Sequence, residues 1–117
     1  MKTINRLLLI TLLLLPNLVF AASESSGVGK ITSLNLAANG AILKVTFSQP
    51  YVNPGNCGAA NAYIRELDDS PVNQRFYSTA LAAYIAKKDV KFWIDDCTTN
   101  PWWTDTYPRI WGIEIID

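Results

Sequence analysis

The chain has 117 residues, carries ten basic against ten acidic side chains, and contains no histidine. The even charge balance excludes a polybasic protein that would bind phosphate backbones or acidic lipid surfaces. The missing histidine excludes Ser-His-Asp and Cys-His nucleophilic catalysis and removes the commonest general base.

In chain order, the first segment, MKTINRLLLITLLLLPNLVFA, has the three-part layout of a secretory signal. Lys2 and Arg6 form the positive start, Leu7 to Leu15 the apolar run, and Val19 and Ala21 the small-residue cleavage site. Pro16 and Asn17 interrupt the apolar run well short of the roughly 20 residues that span a bilayer. Cleavage after Ala21 is expected, with a periplasmic or secreted location and no membrane insertion of the mature chain. Losing Lys2 and Arg6 leaves eight basic against ten acidic residues, a net charge of −2.

Residues 22–29 are small and polar and predict a flexible lead-in. Residues 30–117 then predict one domain. Ile31 to Leu36 is a first strand, with Thr32, Leu34 and Leu36 sharing a face. Asn39-Gly40 is a tight-turn dipeptide. Ile42 to Ser48 alternates, with Leu43, Val45 and Phe47 on the buried side. Gln49 to Asn61 is a loop rich in Pro, Gly and Asn. Ala62 to Leu67 is a third strand.

Asp68-Asp69-Ser70-Pro71 is a helix start, with Ser70 as cap and Pro71 at the first helical position. The helix is predicted from Val72 to Lys87. Tyr77, Ala80, Leu81, Tyr84 and Lys88 form its inner face, with Phe76 and Ile85 beside it. Lys87 and Lys88 suit the negative end of its dipole. Val90 to Asp95 is a fourth strand, with Val90, Phe92 and Ile94 inward and Trp93 partly exposed. Thr98 to Pro108 is a loop. Arg109 to Ile116 is a fifth strand, with Trp111, Ile113 and Ile115 on the core face.

The fold class is therefore α+β, mainly β: a five-stranded OB-like barrel with one helix between strands 3 and 4. A small open sheet with one helix shares the same element order. Cys57 and Cys97 are the only cysteines. In an exported domain of this size they predict a disulfide, worth roughly 4 kcal/mol on the chain-entropy model.

Cys57, Tyr77-Ser78, Leu81, Ala83, Lys88, Val90 and Cys97 follow a pattern over about residues 56–116: a Cys before a strand, a YS-x-L-x-A helix, a K-x-V strand start and a second Cys. In this the chain resembles small exported Gram-negative bacterial proteins of mostly unassigned function. More distantly, its layout is similar to the B subunits of subtilase-type and typhoid-type AB5 toxins. That resemblance implies an OB-fold, a possible homo-oligomer and glycan binding. The sugar-binding residues of those subunits lie in their first half and are not matched to positions of this chain, so they are not carried over.

Candidate chemistry centres on the aromatic residues. Trp102 and Trp103 sit side by side in the loop between strands 4 and 5, with Tyr107 close by. In an OB-fold that loop borders the usual ligand surface. Flat aromatic faces stack on sugars, and Asn100, Asp105 and Thr106 supply hydrogen-bonding groups. The competing reading makes the two Trp a plug at one end of the barrel. Asp95, Asp96 and Asp105 lack calcium-ligand spacing, so no metal and no cofactor is expected.

The expected function is a secreted or periplasmic non-catalytic binding module for a glycan or a protein surface, not an enzyme. The alternative is a structural or interaction subunit, or a small inhibitor of a secreted partner. Single-stranded nucleic acid requires a basic groove that this charge balance does not supply.

Overall fold

The computed structural model describes residues 23–101 and 103–117; the expected signal segment 1–21 and Trp102 lie outside them. The chain is mainly β, with five strands in one sheet and one helix. The elements are β1 (Glu24–Ala37), β2 (Ile42–Phe47), β3 (Tyr63–Glu66), α1 (Pro71–Ile85), β4 (Asp89–Cys97) and β5 (Pro108–Ile116). The sheet order is β1-β2-β3-β5-β4, and β4 returns to pair with β1, so the strands form a closed ring. All pairings are antiparallel except β3 with β5, which meet in parallel at Ile64 and Arg109. Among the described residues, no helix is long and apolar enough to cross a membrane.

β1 starts seven residues earlier than the sequence pattern predicts. Residues 24–29, expected as a flexible lead-in, pair with β4: Glu24 faces Ile94, Ser25 faces Trp93 and Gly29 faces Val90. The register slips between Ser25 and Val28, where Gly27 takes a positive φ of 73° that favours glycine. Ser26 repairs the ladder there. Its buried hydroxyl accepts the Phe92 N–H at 2.8 Å and donates to the Gly27 carbonyl at 2.8 Å. A serine that reads as linker by composition thus acts as a backbone substitute inside the sheet.

A second irregularity lies between Ile31 and Ser33 and leaves Thr32 as the extra residue. Ile31 points into the core, Thr32 is exposed and Leu34 packs partly against the core. Leu36 ends exposed, so the expected Thr32–Leu34–Leu36 face is not a buried one. β1 and β2 are joined by four residues, of which Ala38 and Asn39 adopt left-handed φ of 51° and 58°.

The core is the inside of the ring. Leu43, Val45 and Phe47 come from β2, Tyr63 from β3, Val90, Phe92 and Ile94 from β4, and Ile110 from β5. At its centre the Phe92 ring lies 5.4 Å from Phe47 and 6.0 Å from Tyr63, in edge and tilted contacts. Burial pushes the Tyr63 hydroxyl pKa up, and that hydroxyl accepts the Val52 N–H at 2.9 Å.

Helix α1 begins as its sequence predicts. The Ser70 side chain accepts the Asn73 N–H, and Pro71 opens the first turn. Its buried stripe, however, is Phe76, Ala80 and Ala83, rotated from the expected one. Tyr84 is exposed and Ile85 is 70% exposed. Phe76 sets the rotation: it inserts into the core and takes the Arg65 guanidinium over its ring at 4.3 Å. The two alanines then let the helix approach closely. The cation bound at the helix end is Lys30 of β1, which donates to the Lys87 carbonyl at 3.0 Å and to Asp89 at 2.7 Å.

Before the helix, hydrogen bonds from the Ser70 hydroxyl, the Asn73 amide and the Ser70 N–H hold the Asp68 carboxyl down to about 2. Its folded pKa lies below the unfolded one of about 4, so its stabilising effect is complete above that pH and is lost as pH falls through 2. NMR titration of the folded protein should place the Asp68 midpoint near 2. A midpoint near 4 would show that this turn does not form.

Candidate functional site

The loop from Thr98 to Tyr107 is closed at its base. The Thr98 N–H donates to the Tyr107 carbonyl at 2.9 Å, and the Tyr107 N–H to the Thr98 hydroxyl at 3.2 Å. Two further bonds tie it to the loop before β3: Ala59 N–H to the Thr106 carbonyl at 2.9 Å and Gly58 N–H to the Thr106 hydroxyl at 3.1 Å. The Cys57–Cys97 disulfide joins the same two segments, as the cysteine count predicts.

So anchored, the loop lies over the outer face of β2 and β3. Leu43, Val45 and Phe47 point inward, which leaves Ile42 and Lys44 on the other side of β2. There Ile42, Ala62, Ile64 and Tyr107 form a second apolar cluster. Trp103 stands edge-on to Tyr107 at 6.1 Å and is 46% exposed. The Lys44 ammonium sits 4.8 Å from the Trp103 ring centre.

The residues predicted for this site therefore divide. Trp103 and Tyr107 come together, but Tyr107 is buried as packing. The Asp105 carboxylate accepts the N–H of Thr106, and Thr106 is used in tying the loops. Asn100 is exposed beyond them. Trp102 is outside the described residues. Within the described part of the loop, Tyr107 packs on the sheet and Trp103 stays half exposed beside it.

A different aromatic surface lies on the outside of β4 and β5. Trp93 and Trp111 are side by side, with ring centres 6.2 Å apart and planes inclined at 35°. Trp111 is 50% exposed and Trp93 is partly buried. Gly112 stands opposite Trp93, where an added Cβ would come within 3.3 Å of the indole. Its bare backbone lets the indole rest on the strand.

Two ion pairs flank the rings. Lys91 lies 3.4 Å from Glu114, with its ammonium 5.0 Å from the Trp93 ring centre. Arg109 holds Asp95 through two bonds, of 3.1 and 3.4 Å. The hydrogen bond to Asp95 pushes the Arg109 pKa up against its partial burial. From Trp111 an open groove of about 370 Å³ runs toward β3 and the helix start, lined by Arg65, Glu66, Asn73, Asp95 and Arg109.

Period-two reading places Trp111 in the core with Ile113 and Ile115; the structure corrects this. Trp93 pairs with Gly112 and Ile94 with Ile110, so Trp111 is an unpaired bulge residue. One extra residue reverses which side the following residues face. Ile110 and Ile113 meet the core, while Trp111 turns outward. The glycine beside Trp111 is the signal in the sequence that marks such a bulge.

The acidic residues weighed as a calcium group have other partners. Asp95 pairs with Arg109, Asp96 accepts the Cys97 N–H, and Asp105 accepts the Thr106 N–H. Among the described residues no cluster of three or more metal-ligating side chains occurs. Comparison of the chain with protein-family models, with curated proteins and with solved structures finds no match.

Proposed function

We propose that this chain is an exported, non-catalytic binding module on an OB-like barrel, which engages a glycan or a protein surface through the outer face of β4 and β5. Support for the barrel comes from the ring order of the five strands and the helix between β3 and β4. Export is supported by the signal-like first segment and the disulfide. A chain without histidine is better suited to binding than to acid–base catalysis. The resemblance to toxin B subunits is in keeping with this reading, and assembly with further copies belongs to it.

The observation that carries the reading is the Trp93–Trp111 pair. Trp111, half exposed and beside the partly buried Trp93 on a strand face rather than in a core, has a large apolar area still to bury. The loop bearing Trp103 covers β2 and β3, the surface an OB-fold ordinarily presents to ligand. Trp103 is half exposed there but stands beside the Lys44 ammonium, whereas the paired rings lie on β4 and β5.

The purified mature protein should bind ligands on a combined glycan and protein array, and Trp93→Ala/Trp111→Ala should lose that binding while Trp103→Ala keeps it. Binding unchanged in the double variant would sink the reading. The second reading, an interaction subunit or a small inhibitor, draws on a cleft of about 590 Å³ between β1 and the end of α1. Ile31, Tyr84 and Ile85 give it apolar walls and Lys30 and Lys87 a basic rim. It gains if only Ile85→Asp disturbs assembly or partner capture.

A further inference from the structure

We infer that the Trp93–Trp111 surface takes an uncharged sugar ring, stacked on the exposed indole of Trp111 with its hydroxyls on the flanking ion pairs. The inference rests on the binding-module reading and adds the ligand's chemistry.

Charge is the first argument. Each cation bordering the two rings is already matched: Lys91 by Glu114, and Arg109 by Asp95. Farther along the groove, Arg65 donates to the Asn73 side chain and the Ile110 carbonyl, and Glu66 accepts from Thr99. An acidic ligand would compete with Asp95 or Glu114 for the same cations. A basic ligand would compete with Arg109 or Lys91 for the same carboxylates. A neutral ligand meets a surface with no net charge and breaks no pair.

Shape is the second. Two indoles inclined at 35° present non-parallel faces. A flat aromatic guest can stack on only one of them. A puckered pyranose has an apolar C–H face for Trp111 and a C–H edge that meets Trp93.

Hydrogen-bonding capacity is the third. Paired ions keep spare valence: a guanidinium has five N–H donors, and each carboxylate oxygen has more than one lone pair. Donors and acceptors thus alternate at the rim of the rings, as a ring of hydroxyls requires. The groove of about 370 Å³ leading from Trp111 is at the small end of ligand sites and can take the next sugar unit.

The test is an NMR titration of the mature protein, following the indole N–H signals, with lactose, maltotriose, chitotriose and sialyllactose at about 50 and about 500 mM salt. At least one neutral sugar should bind in the millimolar range and shift the Trp93 and Trp111 signals. Its affinity should change less than about twofold between the two salt levels, because no charge is screened. Trp111→Ala should weaken it about tenfold or more. Sialyllactose should bind no better than lactose.

Tighter, salt-sensitive binding of sialyllactose would overturn the neutral-sugar assignment and leave the binding module standing. So would the absence of any sugar binding alongside a Trp111-dependent protein ligand on the array. Sugar binding that Trp111→Ala leaves intact would overturn the assignment and the β4–β5 surface together.

Discussion

Replacing Cys57 and Cys97 with alanine is expected to lower stability by roughly 4 kcal/mol, a fall in Tm of about 15–30 °C for a domain of this size. The bond closes a separation of 40 residues. Most of the effect comes from the unfolded chain, which regains the freedom that the closed loop denies it. A second contribution is local. The bond fixes the segment before β3 against the end of β4, where Gly58 and Ala59 bind Thr106 and where the loop carrying Trp103 begins. Losing it should also free that loop from β2 and β3. Calorimetry of the double variant, or of the reduced protein, measures the effect. A fall of less than about 5 °C would show that the bond is peripheral to the fold.

Phe92→Ala should cost about 3–5 kcal/mol. Phe92 is fully buried, touches Phe47 and Tyr63, and sits on the strand that pairs with both β1 and β5. Truncation leaves a cavity at the meeting point of three aromatic rings, and closed strands on either side restrict collapse into it. Phe92→Leu, which keeps most of the volume, should cost clearly less. Urea unfolding of both variants gives the comparison. Equal costs for Ala and Leu would mean that edge contacts between the rings, rather than filled volume, hold this centre together.

The strands that keep strict alternation are legible in the sequence. Leu43, Val45 and Phe47 of β2, and Val90, Phe92 and Ile94 of β4, point inward as their spacing requires. The Ser70-Pro71 helix start is equally plain, because capping is local chemistry. Periodicity misleads where a bulge intervenes. Thr32 and Trp111 each add one residue to a strand, and the alternation changes phase there. Composition misleads at residues 24–29, whose strand state depends on pairing with β4 and on the Ser26 hydroxyl meeting Phe92. Neither contact has a local signal. The rotation of α1 is likewise settled by where Phe76 finds space, since alanines on several faces leave the helix little preference of its own.

The same causes govern the candidate surface. Adjacent Trp102 and Trp103 are conspicuous in the sequence, and in the described part of their loop Tyr107 packs on Ile42 and Ile64 while Trp103 is half exposed. Trp93 and Trp111 are eighteen positions apart and meet only because β4 and β5 pair with a bulge at Trp111. Their meeting is a product of register, and a one-residue slip would separate them.

The most direct measurement is to compare stability and ligand binding in the single variant Trp111→Ala. Trp111 is half exposed at an unpaired strand position, so its truncation should shift Tm by no more than about 5 °C. Binding to the neutral sugar, or to whichever array ligand the native protein retains, should fall about tenfold or more. A large loss of stability with binding intact would contradict the account and make Trp111 a packing residue.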